Sequence, residues 1–120
     1  MDEKQVICID LDGTICQYDG WKGEDHFGDV IPGAKEALQK LKKAQWLVII
    51  FTTRGDKHKI KKYLDDNGLF YDYINENPHQ PKGASGKLFA HVYLDDRAVR
   101  FSGDWEESIK EIETFEPWTK

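Results

Sequence analysis

Short runs of apolar residues, each about as long as a β-strand, recur four times along the chain. The first two, residues 6–11 and 46–51, are apolar at nearly every position, a pattern typical of strands buried on both faces of a parallel sheet. The other two runs are residues 70–74 and 92–94. The pattern therefore predicts four strands, two of them buried on both faces.

Three further segments repeat their apolar residues at every third or fourth position, which is the spacing of an amphipathic helix. They are residues 33–44, 56–67 and 104–115. The second ends at Gly68, a common helix stop. The third carries Trp105, Ile109 and Ile112 on one face and is expected to close the domain. Because strands and helices alternate, the chain should form right-handed βαβ units in one doubly wound α/β domain spanning residues 1–120.

Composition narrows the classes of protein that fit. The 120 residues are enough for one hydrophobic core. Their net charge of -5 is opposite in sign to that of surfaces that bind nucleic acid, so such a partner is disfavoured. No apolar run approaches the ~18 residues of a membrane helix, and the N-terminus lacks the layout of a secretory signal. Cys8 and Cys16 have neither disulfide nor metal-site spacing, so we interpret both as reduced and structural. Together these features predict a cytoplasmic protein with no membrane partner.

Pairs of carboxylates follow two of the predicted strands, at the edge of the sheet where doubly wound folds bind ligands. Asp10 and Asp12 follow the first strand in the sequence D-L-D-G-T, and Asp95 and Asp96 end the fourth. If these strands are neighbours, three or four carboxylates converge in an oxygen-rich site suited to Mg²⁺. Either pair alone is also typical of a turn that ends a strand. Two pairs at one edge favour the metal site.

The second predicted strand ends at Thr52, which is followed by Thr53 and Arg54. A hydroxyl and the next backbone N–H at a strand-to-helix turn form an anion pocket, assisted by the positive end of the helix. We expect Thr53 and Arg54 to contact an anionic substrate there. The alternative is that the Thr52 hydroxyl only caps the helix.

Two irregular segments begin at the same edge of the predicted sheet. Residues 16–31 are expected to form a short flap over the site, and residues 76–86 a loop. The flap contains Trp21, whose ring could stack on a sugar or base, and His26, whose side chain could touch a substrate. The alternatives are that Trp21 packs the flap and that His26 is a solvated surface residue.

These residues occur in the order of the four motifs of the haloacid dehalogenase-like (HAD) superfamily, which the chain resembles. D-L-D-G-T at residues 10–14 is similar to the first motif, Thr52 to the second, a lysine before the last strand to the third, and Asp95-Asp96 to the fourth. The resemblance implies a three-layer Rossmann-like sandwich around a mostly parallel sheet with strand order 3-2-1-4.

The family inserts its cap domains at places where this chain holds only residues 16–31 and 76–86. The resemblance is therefore to the small capless phosphatases of the family. It implies Mg²⁺-dependent hydrolysis of a phosphate monoester through an aspartyl-phosphate. In that scheme Asp10 is the nucleophile, and Asp12 first protonates the leaving oxygen and then activates water.

The resemblance also implies a set of metal ligands. Asp96 is expected to bind Mg²⁺ directly, together with the Asp10 carboxylate and the backbone carbonyl of Asp12. Asp95 is either a second carboxylate ligand or a group that orients the lysine and a metal-bound water.

A lysine would offset the charge of the phosphoryl oxygens, which Thr52 and the backbone N–H of Thr53 would hold. Lys82 and Lys87 both precede the fourth strand. Lys87 is eight residues before Asp95, the spacing of the compact family members that the chain resembles, and Lys82 lies in the predicted loop. The sequence therefore favours Lys87 as the catalytic lysine.

Other interpretations remain open at this stage. A phosphorylation-controlled receiver module has a similar size and similar acidic strand ends, but its acceptor aspartate follows strand three, where this chain has Ile74-Asn75. A catalytically silent phosphate-binding module is a further alternative. Among enzymes, a polynucleotide 3′-phosphatase is a distant resemblance that conflicts with the acidic charge. The sequence names no particular phosphorylated substrate, and a second copy of the chain could cover the open pocket.

Overall fold

A four-stranded parallel sheet forms the centre of the computed structural model, which describes residues 4–84 and 86–118. Its strands are β1 (Val6–Ile9), β2 (Leu47–Ile50), β3 (Tyr73–Ile74) and β4 (Val92–Leu94). They lie in the order β3-β2-β1-β4, and every neighbouring pair is parallel. The predicted α/β class and strand order are confirmed.

The three predicted helices are present, and each boundary lies within two residues of its expected position. They are α1 (Ala34–Lys43), α2 (Lys57–Asp66) and α3 (Trp105–Glu113). The carboxylate of Asp56 accepts the backbone N–H of Lys59, and that of Asp104 accepts the backbone N–H of Glu106. An aspartate therefore fixes the first turn of both α2 and α3.

Different parts of the chain cover the two faces of the sheet. On one face, α1 and α2 contribute Leu38, Ile60 and Leu64, which are almost completely buried. On the other face, Leu88 and Ala90 pack from the chain that leads into β4. Because alternate residues of a strand point to opposite faces, β1 and β2 are apolar and buried at every position.

Helix α3 does not close the domain, contrary to the expectation from its apolar stripe. Trp105 is 70% exposed, and Ile109 and Ile112 are each about half exposed. The buried residue of this helix is Ser108. All its other residues are exposed, so the apolar stripe is not packed on the sheet.

The position of α3 is explained by a contact that follows the helix and by a groove beside it. The Trp118 indole N–H, beyond the helix, donates to the Gly13 carbonyl at 2.7 Å, so the chain returns to the carboxyl edge of the sheet. Beside α3, Glu111 and Thr114 line an open groove of about 830 Å³ with residues 98–102. The helix is thus held beyond the edge of the sheet instead of along one of its faces.

The flap at residues 16–31 packs against α2. Among the described residues, the flap forms two isolated β-bridges, one between Asp12 and Cys16 and one between Cys16 and Val30. The Phe27 ring stacks on Tyr63 at a centroid distance of 4.5 Å, and the Tyr63 hydroxyl donates to the Gly28 carbonyl at 2.8 Å. These contacts hold an irregular segment in a defined place beside the sheet edge.

Both cysteines are free and buried, as predicted. Burial raises the pKa of the Cys8 thiol to about 11 and that of Cys16 to about 12, so both remain neutral thiols. No helix in residues 4–84 or 86–118 is long and apolar enough to cross a bilayer. The expectation that the N-terminus is not a secretory signal falls partly on residues 1–3, which lie outside the described part of the chain.

Leu64 tests how far stability depends on the helix-covered face. Because its side chain is fully buried, Leu64→Ala should lower the free energy of unfolding by about 2–5 kcal/mol. Lys62→Ala, on the exposed side of the same helix, should change it by no more than about 0.5 kcal/mol. Urea denaturation followed by circular dichroism measures both. Equal effects would contradict this packing.

Candidate active site

A crevice of about 280 Å³ opens at the carboxyl edge of the sheet, where β1, β2 and β4 end. The described residues that line it are Asp10, Asp12, Tyr18, Trp21, Thr52, Thr53, Asp95, Asp96 and Arg97. Ile9 pairs with Leu94 in the parallel register, so the residues that follow them emerge side by side. The crevice lies where ligands bind in doubly wound folds.

Three carboxylates converge in the crevice, as expected if β1 and β4 were neighbours. Asp10, Asp95 and Asp96 each offer an oxygen, and these oxygens all lie within 4.8 Å of one another. Gly13 makes room for this approach: a Cβ there would lie 2.3 Å from an Asp96 carboxylate oxygen, and its φ of 92° disfavours other residues. The glycine of D-L-D-G-T is therefore required by the cluster itself.

The crowding of these carboxylates changes the acidity of Asp10. Burial is the largest cause, followed by a hydrogen bond with Asp96 and the negative charges of Asp95 and Asp96. Together they raise the pKa of Asp10 to about 8. A cation bound beside Asp10 would stabilise its charged form and lower this pKa.

Asp12 is held differently, because it is paired with Arg54. Arg54 Nε donates to Asp12 Oδ2 at 2.7 Å and Nη2 donates to Oδ1 at 2.9 Å, a bidentate pair. The guanidinium also donates to the backbone carbonyls of His26 and Glu24, and the Phe27 ring lies 3.9 Å from its central carbon. The Arg54 side chain is almost fully buried.

The prediction that Arg54 contacts substrate is therefore wrong in this structure. Its donors are taken by Asp12 and by the flap, and it does not line the crevice. It acts instead as a clamp between the loops after β1 and β2 and the flap.

Thr52 and Thr53 lie in the crevice, as expected. The Thr52 backbone N–H donates to the Asn75 side-chain oxygen at 2.8 Å, and the Thr52 hydroxyl oxygen accepts the Arg54 backbone N–H at 3.2 Å. Within the part of the chain that the structure describes, this hydroxyl donates to no residue, so its hydrogen is available to a ligand. Sequence reasoning missed the positioning role of Asn75; its signal was an amide side chain at the end of a predicted strand.

The start of α2 is not an open anion pocket. The carboxylate of Glu24, from the flap, accepts the backbone N–H groups of Gly55 and Asp56, each at 3.2 Å. Asp56 caps the same helix end with its own side chain. The expectation that the helix end would help bind an anionic substrate is therefore wrong, because the chain's own carboxylates occupy it.

Neither predicted lysine lines the crevice. Lys87 Nζ lies over the Tyr93 ring, 4.8 Å from its centroid. The physical reason is the path of the chain: the His91 N–H bonds to the carbonyl of Val6 at the start of β1, so residues before β4 lie at the opposite end of the strand from Asp95. The expectation that Lys87 stands beside the carboxylates is not met.

Arg97 is the one cationic side chain among the described residues that line the crevice. Its backbone N–H donates to Asp95 Oδ1 at 2.8 Å, and its guanidinium carbon lies 5.9 Å from the centroid of the Tyr18 ring. The signal for this residue was an arginine directly after the second acidic pair.

The two candidate flap residues, Trp21 and His26, line different cavities. Trp21 lines the crevice, is exposed, and places its ring 5.1 Å from the Arg54 guanidinium carbon. His26 faces a separate groove with Gln17 and Lys22, and its link to the site is its backbone carbonyl. The expected contact between the His26 side chain and substrate is therefore not supported.

A solved structure of nearly the same extent is similar to this chain. It is a conserved protein from Bacteroides thetaiotaomicron. The two chains share 27% sequence identity and a TM-score of 0.67, over 92% of this chain and 91% of that one. No protein-family model and no curated protein matches the sequence. The likeness confirms the α/β fold along nearly the whole chain and carries no activity with it.

The raised pKa of Asp10 predicts how stability depends on pH without divalent cations. The folded protein holds this proton more tightly than the unfolded chain. The contribution of Asp10 is therefore most favourable below pH 3.8, is lost as pH rises to about 8, and then stays constant. Asp10→Asn removes the titration, so the stability of the variant relative to wild type should increase as pH rises from about 4 to about 8. Urea denaturation in a chelator measures this, and a constant difference across that range would contradict it.

Proposed function

We propose that the protein is a Mg²⁺-dependent phosphomonoester hydrolase that acts through an aspartyl-phosphate on Asp10. The observation that carries the proposal is the convergence of three carboxylates within 4.8 Å, next to the Thr52 hydroxyl and the Asp12–Arg54 pair. The motif resemblance to capless HAD phosphatases points to the same chemistry. The buried, unpaired cysteines fit a reducing, cytoplasmic setting.

The donor set fits a hard divalent cation. Asp10, Asp95 and Asp96 supply oxygens only, which is what Mg²⁺ prefers, and the crowding that raises the pKa of Asp10 is relieved by positive charge. We propose Asp10 and Asp96 as direct ligands together with the backbone carbonyl of Asp12, and Asp95 as a ligand or orienting group. Mg²⁺, when bound, would screen the repulsion between a phosphate dianion and these carboxylates.

In the first step the Asp10 carboxylate attacks phosphorus, and the bond between phosphorus and the leaving oxygen breaks. Asp12 supplies a proton to that oxygen. In the second step Asp12 takes a proton from the water that attacks the aspartyl-phosphate, which restores Asp10 and releases phosphate. The bidentate pair with Arg54 holds the Asp12 carboxylate in a fixed orientation at the crevice.

The receiver alternative finds no support in the same geometry. The residue after β3 is Asn75, and its side-chain oxygen is occupied by the Thr52 N–H. No acceptor carboxylate stands at that position.

Asp10 and Asp12 give the first test of the mechanism. Across a panel of phosphate monoesters with Mg²⁺, Asp10→Asn should abolish hydrolysis, and Asp12→Asn should slow turnover by roughly 10²–10⁴ because the acid–base group is lost. Asp66→Asn makes the same change on the exposed side of α2 and should leave the rate unchanged. Release of inorganic phosphate is the measurement. Wild-type activity in Asp10→Asn, or full activity in excess chelator, would refute the mechanism.

Arg97 gives the second test, because the phosphoryl charge needs a cation. We expect Arg97→Ala to lose at least about tenfold in kcat/KM, since charge left uncompensated in a preorganised site costs a few kcal/mol. Arg100→Ala, three residues further on and outside the crevice, is the matched control. Lys87→Ala should stay within a few-fold of wild type. A large loss in Lys87→Ala with normal Arg97→Ala would restore the lysine assignment.

A further inference from the structure

Two aromatic side chains of the flap, Tyr18 and Trp21, line the crevice but have no role in the chemistry proposed above. Of the flap residues that the structure describes, only these two line it. The other lining residues, apart from Arg97, carry carboxylates or hydroxyls and follow the strands. The crevice therefore has an oxygen-rich side at the strand ends and an aromatic side on the flap.

Packing of the flap does not account for Trp21. Phe27 and Val30 attach the flap to the core that α1 and α2 cover, and Phe27 also stacks on Tyr63. Trp21 is 56% exposed and is not among the residues packed on either part of the core. The flap is thus held by other side chains, and more than half of the Trp21 surface is available to a ligand.

The position of the exposed Trp21 ring is linked to the candidate catalytic groups through Arg54. The Arg54 guanidinium carbon lies over the ring, 5.1 Å from its centroid. The same guanidinium is fixed by its bidentate pair with Asp12. An aromatic ring held in this way offers a large contact area to a ligand at a small cost in conformational entropy.

The volume and charge of the crevice limit the kind of substrate that fits. Its volume of about 280 Å³ is no larger than that of the smallest typical ligand pockets, about 300 Å³. A leaving group bound together with a phosphoryl group would therefore extend to the exposed Trp21. Arg97 is the one cation among the described lining residues, so the crevice lacks the row of cations that a chain of phosphates requires. These features favour a small ester with one phosphate and a planar ring, since an indole stacks on any planar ring.

We propose that the substrate is a small phosphate monoester whose leaving group carries a planar aromatic ring, and that this ring stacks on Trp21. The proposal rests on the proposed hydrolase function and deepens it by naming the substrate class. Two kinds of ester share this chemistry. In a nucleoside monophosphate the ring is a base joined to the ester through a sugar, and in a benzyl-type phosphate the ring is next to the ester.

Two pairs of esters test the requirement for a planar ring. Adenosine 5′-monophosphate is compared with ribose 5-phosphate, and benzyl phosphate with cyclohexylmethyl phosphate. Within each pair the phosphate is on a primary carbon, so the pair differs mainly in the aromatic ring. Release of inorganic phosphate with Mg²⁺ gives kcat/KM. Wild type should favour the aromatic member of at least one pair by at least about tenfold, and that pair identifies the source of the ring. Equal values within both pairs would overturn the proposal.

Variants of Trp21 assign the preference to its ring. Trp21→Ala should lose at least about tenfold in kcat/KM on the aromatic ester and far less on its ring-free partner, which also reports whether the Asp12–Arg54 pair is intact. Trp21→Phe retains a ring and should keep most of the preference. Trp105→Ala makes the same change at an exposed tryptophan outside the crevice and should leave all rates unchanged. A preference that survives Trp21→Ala, or an equal loss on both members of a pair, would overturn the proposal.

Binding measurements separate a failure of this proposal from a failure of the hydrolase function. Hydrolysis of all four esters without dependence on the ring would overturn the proposal and leave the hydrolase function standing. If no ester is hydrolysed, the hydrolase function fails, and calorimetric titration of the same four esters with Mg²⁺ tests the ring site alone. Tighter binding of the aromatic member, weakened at least about tenfold by Trp21→Ala, would support the ring site. Equal binding within both pairs, or no binding, would overturn it.

Discussion

Repulsion between carboxylates held together at the carboxyl edge of the sheet is the constraint on which the rest of the candidate site depends. The parallel register of β1 and β4 brings Asp10 beside Asp95 and Asp96, and the burial of Asp10 limits the water that would screen its charge. A proton or a cation must therefore offset them. The same crowding explains Gly13, because a Cβ at that position would collide with Asp96.

The charge of Asp12 is offset by Arg54, and this ion pair also positions the surrounding loops. Arg54 follows β2 and forms a buried bidentate pair with Asp12, while its remaining donors bond to flap carbonyls. Removing either partner would leave a buried charge unpaired, which is strongly destabilising. One ion pair thus couples the loop after β1, the loop after β2 and the flap, so the flap's position and the site's geometry are set together.

Competition among the chain's own charged groups decides what remains for a ligand. Glu24 fills the start of α2, and Lys87 lies on Tyr93 at the other end of β4. Thr52 and Arg97 are left among the residues that line the crevice. Under the proposed function, a phosphoryl group would bind between a carboxylate-held cation and these two residues, without the help of a helix end.

The alternation of short apolar runs with segments that repeat apolar residues every third or fourth position was sufficient to predict four strands and three helices. A strand buried on both faces is apolar throughout, and a helix buried on one side is apolar at that spacing. The acidic strand ends and Thr52 were also evident, since the carboxyl edge of a parallel sheet collects whatever follows each strand. The sequence could not show that Arg54 would pair with Asp12, that Glu24 would cap α2, or that α3 would face outward. Those outcomes depend on which charged groups meet across 30 or more residues and on where the chain is anchored after α3. Local patterns fix the elements and their polarity, whereas long-range charge pairing and chain anchoring are settled only when the elements come together in three dimensions.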